Sequence, residues 1–228
     1  MSIEPAETWI FGYGSLMWRP EFDYREAHRA RLAGFHRSFC VYSIHYRGTE
    51  RRPGLVLGLD RGGTCDGIAF HVAPDARAAT LDYLRRRELI YGVYREVLVP
   101  VELAHAPGDS PRTVWALTYI AERCHPAYAG RLPLSREAHL IRRSAGLGGT
   151  NLDYLLSTRC HLADLGIREP RLDRLAALIG GGRIDRTRVK ESASFSVARA
   201  RAWAAKPAHR PRTVRDNRFG YRAKIACS

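Results

Sequence analysis

Cysteine is sparse and badly placed for cross-linking in this chain of 228 residues. Cys40, Cys65, Cys124, Cys160 and Cys227 contain no C-x-x-C pair, and an odd, dispersed set reads as reduced thiols rather than a disulfide framework. The sequence also lacks His/Cys spacing suited to zinc, an H-E-x-x-H helix and a Walker A loop, which removes the common metal-site and nucleotide-phosphate motifs. Long apolar runs are missing: nothing approaches the roughly 18 residues of a membrane span. Met1–Thr8, with two glutamates, a proline and no apolar stretch, does not read as a leader. There is no internal repeat. These absences leave a globular, cytoplasmic protein without a membrane segment, long enough to bury a real core.

Acidic residues are in short supply, and the formal charge is +14. Such a balance suggests nucleic acid until its distribution is examined. Beyond Gly180, thirteen Arg and Lys residues face three acids, so +10 of the excess lies in residues 181–228 and the first 180 carry only +4. Gly180-Gly181-Gly182, followed by Pro207, Pro211 and the arginines, divides a compact unit over 1–180 from a loosely ordered basic extension over 181–228, in which Phe195–Ala205 has the makings of one short helix.

Within the first 180 residues the pattern is α+β, with strands first and helices after. Thr8–Tyr13, Arg37–Tyr46, Leu55–Asp60, Gly67–Val72, Val97–Leu103 and Thr113–Ala121 read as strands. Arg61-Gly62-Gly63 reads as the turn between the third and fourth, and Ala106–Pro111 as a loop. Asp75–Tyr91 has helical periodicity with Asp75 available as N-cap. Ser135–Ala145, Asn151–Leu165 and Glu169–Ile179 read as further helices, with Gly146 and Gly166 as stops.

Two places in this pattern carry chemistry. Phe11-Gly12-Tyr13-Gly14-Ser15-Leu16 follows a strand. Its glycines permit a tight turn whose successive N–H groups and Ser15 hydroxyl suit a carboxylate; an ordinary strand-to-loop turn has the same look. A dinucleotide fingerprint needs glycine where Met17 stands, and a nucleophile elbow needs glycine at Tyr13 and Met17. The second place is Glu88. Spacing puts Leu81, Leu84 and Glu88 on one helix face with Tyr91 next along it, so a carboxylate lies on an apolar stripe. Either it is a desolvated general base, or it is held by Arg85 or by an arginine from a neighbouring strand. Arg85-Arg86-Arg87 itself reads as a solvated face. His45, His105, His125 and His139 read as surface or core residues.

Taken together, these segments resemble the ChaC family of γ-glutamylcyclotransferases. The likeness covers Trp9 to about Ile179: Trp9-Ile10-Phe11-Gly12-Tyr13-Gly14-Ser15-Leu16-Met17-Trp18, His45-Tyr46-Arg47-Gly48-Thr49 with Pro53-Gly54, Gly67-Ile68-Ala69-Phe70, Tyr83-Leu84 through Arg87-Glu88 to Tyr94, and Gly148-Gly149-Thr150-Asn151-Leu152-Asp153-Tyr154-Leu155. The resemblance implies a small, partly closed β-barrel with packed helices. It implies Glu88 as the catalytic acid/base, and a substrate site formed by Ile10, Phe11, Gly12, Tyr13, Gly14, Ser15 and Leu16. It implies glutathione as substrate, cleaved to 5-oxoproline and cysteinyl-glycine, with no cofactor. Two features depart from the family: Gly92-Val93-Tyr94 stands where Gly-Gly-Tyr is usual, which puts a Cβ where it would tighten the pocket wall, and the basic extension has no counterpart. The rival expectations are a serine hydrolase using Ser15 with His45 or His125 as base, and a nucleic-acid-binding protein led by the extension.

Overall fold

The computed structural model describes residues 7–89, 91–104 and 110–180. The extension over 181–228, Cys227, His105 and most of the Ala106–Pro111 loop lie outside the described residues.

Five strands close a barrel in the order β1, β3, β2, β4, β5. Strand β1 (Thr8–Gly12) is antiparallel to β3 (Gly54–Val72), from Thr8 opposite Val72 to Gly12 opposite Ile68. Its other edge is parallel to β5 (Arg112–Ala121) at Trp9 opposite Ala116 and Ile10 opposite Leu117, and this pairing completes the ring. Strand β2 (Glu26–Ser43) joins β3 to β4 (Tyr94–Leu103), and β4 pairs with β5 along its whole length. Closure leaves no sheet edge in the ring, and alternate side chains fill its interior. Ile10, Phe11, Leu32, Leu55, Leu59 and Tyr119 are almost wholly buried, some inside the ring and some between it and the packed helices.

The β2–β3 hairpin departs from expectation. Strand β2 begins at Glu26 rather than Arg37, and β3 is one strand of 19 residues rather than two. Gly62 and Gly63 have φ of 95° and 71° and lie opposite Gly34, with φ of 82°, where the register slips between Ala33 and Phe35. Left-handed glycines normally mark a chain reversal. Here they form an irregularity that bends both strands around the barrel without breaking their pairing.

Helix α1 (Arg77–Glu88) follows β3. Asp75 is not its cap. Ala76 precedes the helix in helical conformation without a side-chain cap, and the amides of Ala76 and Arg77 bond to the carbonyls of Ala73 and Pro74. The helix ends at Glu88, so Tyr91 lies beyond it, inside the turn that the Gly92 amide closes on the Leu89 carbonyl, with Gly92 at φ of 66°.

Helices α2 (Leu134–Arg143), α3 (Asn151–Asp164) and α4 (Pro170–Ile179) fall within two residues of the expected bounds at either end. Between α2 and α3, short strands β6 (Ala145–Gly146) and β7 (Gly149–Thr150) form a tight hairpin, so Gly146 belongs to a strand rather than a helix stop. Gly180, with φ of 87°, ends α4. Glu137 of α2, 1% exposed, accepts a 2.7 Å hydrogen bond from Arg171 of α4, the pairing a buried carboxylate needs.

Cys40, Cys65 and Cys160 are free and buried. Burial pushes the Cys40 and Cys65 thiols up to about 12 and about 11, which keeps them protonated and unreactive. No helix among the described residues is long and apolar enough to cross a membrane.

Candidate functional site

The site gathers at one end of the barrel, where β1 runs out into the glycine turn and the C-terminal end of α1 comes alongside. Ile10 and Phe11 are completely buried, and their backbones are paired to β3. Gly12 has a packing reason: a Cβ there would lie 3.1 Å from Leu16 Cβ. The chain then folds back in a single 3-10 turn over Ser15–Met17, closed by the Met17 amide on the Gly14 carbonyl at 2.9 Å. Tyr13 and Leu16 are buried, while Gly14 and Ser15 remain accessible. Among the described residues, the N–H groups of Gly14, Ser15 and Leu16 make no backbone hydrogen bond. They are free to converge on an anion.

Arg37, from β2, braces this turn from beneath. Its side chain is fully buried; Nε donates to the Tyr13 carbonyl at 2.5 Å, Nη2 donates to the Asp66 carbonyl at 2.6 Å, and Nη1 pairs with Glu169 at the start of α4. Nothing in the local sequence distinguishes Arg37 from a surface arginine of a strand. Its role follows from the closed barrel, which turns that position inward.

Arg87 joins the turn to α1. Its Nη2 donates to Ser15 Oγ at 2.9 Å, and Nη1 donates to the Arg19 carbonyl at 2.9 Å and the Tyr83 hydroxyl at 2.6 Å. Its Nε lies 3.2 Å from Glu88 Oε1. The Arg85–Arg87 run is therefore split three ways: Arg85 pairs with Glu96, Arg86 pairs with Asp82 in solvent, and Arg87 is directed into the site. The arginine beside Glu88 is its own neighbour in sequence, neither Arg85 nor an arginine of a strand.

Glu88 retains 19% side-chain exposure, yet burial pushes its carboxyl above the usual carboxylate range, with Arg87 pulling part of the way back. Five phenols feel its charge. Burial raises Tyr13, Tyr46, Tyr94, Tyr119 and Tyr154, and the Glu88 charge adds to each, so all five are protonated at neutral pH. One is anchored to β3, the Tyr94 hydroxyl donating to the Leu57 carbonyl at 2.7 Å, and Tyr154 lies by the backbone of the same residue. Tyr154 reaches the site because Asn151, one turn earlier on α3, docks on β3. Asn151 Oδ1 accepts from the Leu55 amide at 2.6 Å, and Nδ2 donates to the Leu55 carbonyl at 2.7 Å, as a neighbouring strand would.

Tyr91 does not share the Glu88 face. It stacks on His45, with ring centroids 5.2 Å apart. Val93 turns away from the expected wall and packs with Cys40, Val41 and Ala121 in a small separate cluster. Ser15 Oγ faces an arginine rather than a base. His125 Nδ1 instead accepts from the Ala127 amide at 3.1 Å.

A family model described as ChaC-like protein matches residues 8–180. The chain belongs to the ChaC-like family. Among relatives of this ChaC-like chain, the glutathione-specific γ-glutamylcyclotransferase of Escherichia coli K12 is 36% identical over 177 residues, covering 77% of this chain and 74% of the relative. Human glutathione-specific γ-glutamylcyclotransferase 1 is 36% identical over 156 residues, covering 67% and 68%. The fold is shared with a crystal structure of a yeast γ-glutamyl cyclotransferase specific to glutathione, at a TM-score of 0.69 and 22% identity over 78% of this chain and 97% of that one.

Proposed function

We propose that this ChaC-like protein cleaves glutathione by cyclisation, releasing 5-oxoproline and cysteinyl-glycine, with Glu88 as the general acid/base. The observation that carries the reading is the juxtaposition of a desolvated carboxylate with a turn of free amides, bridged by Arg87 from Glu88 to Ser15.

The γ-glutamyl group of glutathione bears a free α-amine and a free α-carboxylate on one carbon. Segment Ile10–Leu16 forms the carboxylate site. Ile10, Phe11 and Gly12 seat it in the barrel, and Tyr13, Gly14, Ser15 and Leu16 present it. A carboxylate fixed there holds the amine beside it, and a bend in the side chain brings that amine to its own γ-carbonyl. Orientation of this kind lowers an intramolecular barrier by about 7–11 kcal/mol. The attacking nitrogen begins as an ammonium and ends as a lactam N–H, so it loses two protons; the departing cysteine nitrogen gains two. The ionised Glu88 carboxylate takes one proton to start attack and returns it to the departing nitrogen as the C–N bond breaks; it then carries the second proton the same way, from the ring nitrogen to the released amine. No water and no covalent enzyme intermediate enter the balance. The raised proton affinity of Glu88 suits both halves of this shuttle. A protonated phenol such as Tyr13 suits the oxyanion, where one well-placed donor is worth about 2.7–4 kcal/mol.

The reaction is assigned to the cytoplasm, as the free thiols suit. The functional unit is taken as residues 1–180. The test is to incubate the purified protein with glutathione, with γ-glutamyl-alanine and with buffer, and to identify products by mass. Cyclisation yields 5-oxoproline and cysteinyl-glycine. Glutamate, one water heavier than 5-oxoproline, would mark hydrolysis and overturn the reading.

A further inference from the structure

The block His45-Tyr46-Arg47-Gly48-Thr49 has so far been given no task, yet it lies beside the site: His45 stacks on Tyr91, and Tyr46 feels the charges of Arg87 and Glu88. The β6–β7 hairpin holds it rigidly: the amides of Leu147 and Gly148 donate to the carbonyls of His45 and Tyr46, both at 2.8 Å. The backbones are in close contact, since a Cβ on Gly146 would lie 2.3 Å from the His45 carbonyl oxygen. From this mount, Arg47 reaches over the ring of Tyr154. Its Nη1 donates to the carbonyls of Gly148 and Thr150, and its guanidinium stands 5.1 Å from the centre of the Tyr154 ring. Among the described residues, Nε and Nη2 carry no hydrogen bond and Arg47 has no ion pair. Its nearest acid, Asp153, acts from beyond salt-bridge distance, and Arg19 adds a second positive charge. A half-buried cation held by carbonyls alone, with half of its fork undirected, suits a bidentate carboxylate from outside the chain.

Glutathione has two carboxylates. With the α-carboxylate at the glycine turn and the γ-carbonyl near Glu88, the terminal glycine carboxylate lies two residues, roughly 7 Å, beyond the scissile bond. Tyr154 spans this interval: its phenol feels Glu88 on one side, and its ring carries Arg47 on the other. We propose that Arg47 binds the glycine carboxylate of glutathione and makes the enzyme select a γ-glutamyl dipeptide tail over a shorter or uncharged one. This deepens the glutathione reading and rests on it.

The test compares glutathione with its glycinamide analogue, in which the terminal carboxylate becomes a neutral amide, in the full chain and in Arg47→Gln and Arg47→Lys. The unaltered protein should favour glutathione by about ten- to a hundredfold in kcat/KM, the worth of one charged hydrogen-bonded contact, mostly through KM. Arg47→Gln should bring the ratio of the two substrates to near one, and Arg47→Lys should restore part of it. A ratio near one in the unaltered protein overturns the inference without any variant. So does an Arg47→Gln that lowers both substrates by the same factor, the outcome of a purely structural role. If the unaltered protein releases 5-oxoproline from neither substrate, the cyclisation reading itself fails and this inference falls with it.

Discussion

Glu88 occupies the last position of α1, where the aligned carbonyls of the helix present partial negative charge. A carboxylate there is opposed twice, by the helix end and by loss of water, and only Arg87 counters. The sign of an Arg87→Met substitution follows. Removal of the cation raises the Glu88 pKa further. Under the proposed mechanism the ionised form starts the reaction, so the acid limb of the kcat profile is expected to move to higher pH. The profile of 5-oxoproline release against pH checks this, and an acid limb that stays in place or moves down contradicts it. The same variant frees Ser15, so kcat/KM should fall by about tenfold or more, the worth of a hydrogen bond to a charged group. Glu88 was legible in the sequence because an acid on an apolar stripe is unusual. Arg87 was not, because three consecutive arginines cover most of the helix circumference, and only the barrel decides which of them faces inward. The same holds for Arg37, whose burial depends on closure between segments far apart in the chain.

At the scale of elements, the site depends on how α3 is docked. Asn151 is fully buried and fills both hydrogen-bonding positions of Leu55, so Asn151→Ala strands a buried amide and a buried carbonyl together. The expected loss is about 2–4 kcal/mol of stability. Tyr154 sits one turn along the same helix, so 5-oxoproline production should fall more steeply than the folded fraction does. Thermal unfolding and activity measured on the same preparations separate the two losses; unchanged melting would mean that the Leu55 contact carries no weight. Helices α2, α3 and α4 were legible from periodicity to within two residues. The β2–β3 hairpin was not, because Gly62-Gly63 has the chemistry of a reversal and only the facing bulge at Gly34 lets the pairing continue through it. Asp75 likewise had the right residue type for a cap, but the carbonyls of Ala73 and Pro74 had already taken the helix's first amides.

For the whole molecule, the described residues that form the barrel core and the surround of Glu88 lead up to Gly180, where α4 ends in a left-handed glycine. The excess of positive charge lies on the other side of that glycine. A chain ending at residue 180 is therefore expected to keep kcat/KM for glutathione within about threefold of the full chain, as substitutions remote from a site usually do. Steady-state assays of the two chains side by side check this; a loss of an order of magnitude or more would place part of the catalytic unit in the extension. The barrel connects all the site's parts through one strand end: β1 delivers the turn, β3 anchors Tyr94 and lies by Tyr154, and α1 brings Arg87 and Glu88 against them.

The most direct measurement is on Glu88→Gln, which keeps the shape of the side chain and removes its proton chemistry. Release of 5-oxoproline from glutathione should fall by about a hundredfold to ten-thousandfold, the span typical of a lost general acid/base, while glutathione still binds the variant in equilibrium titration. Release at near the unaltered rate would show that some other group moves the proton, and would contradict the account.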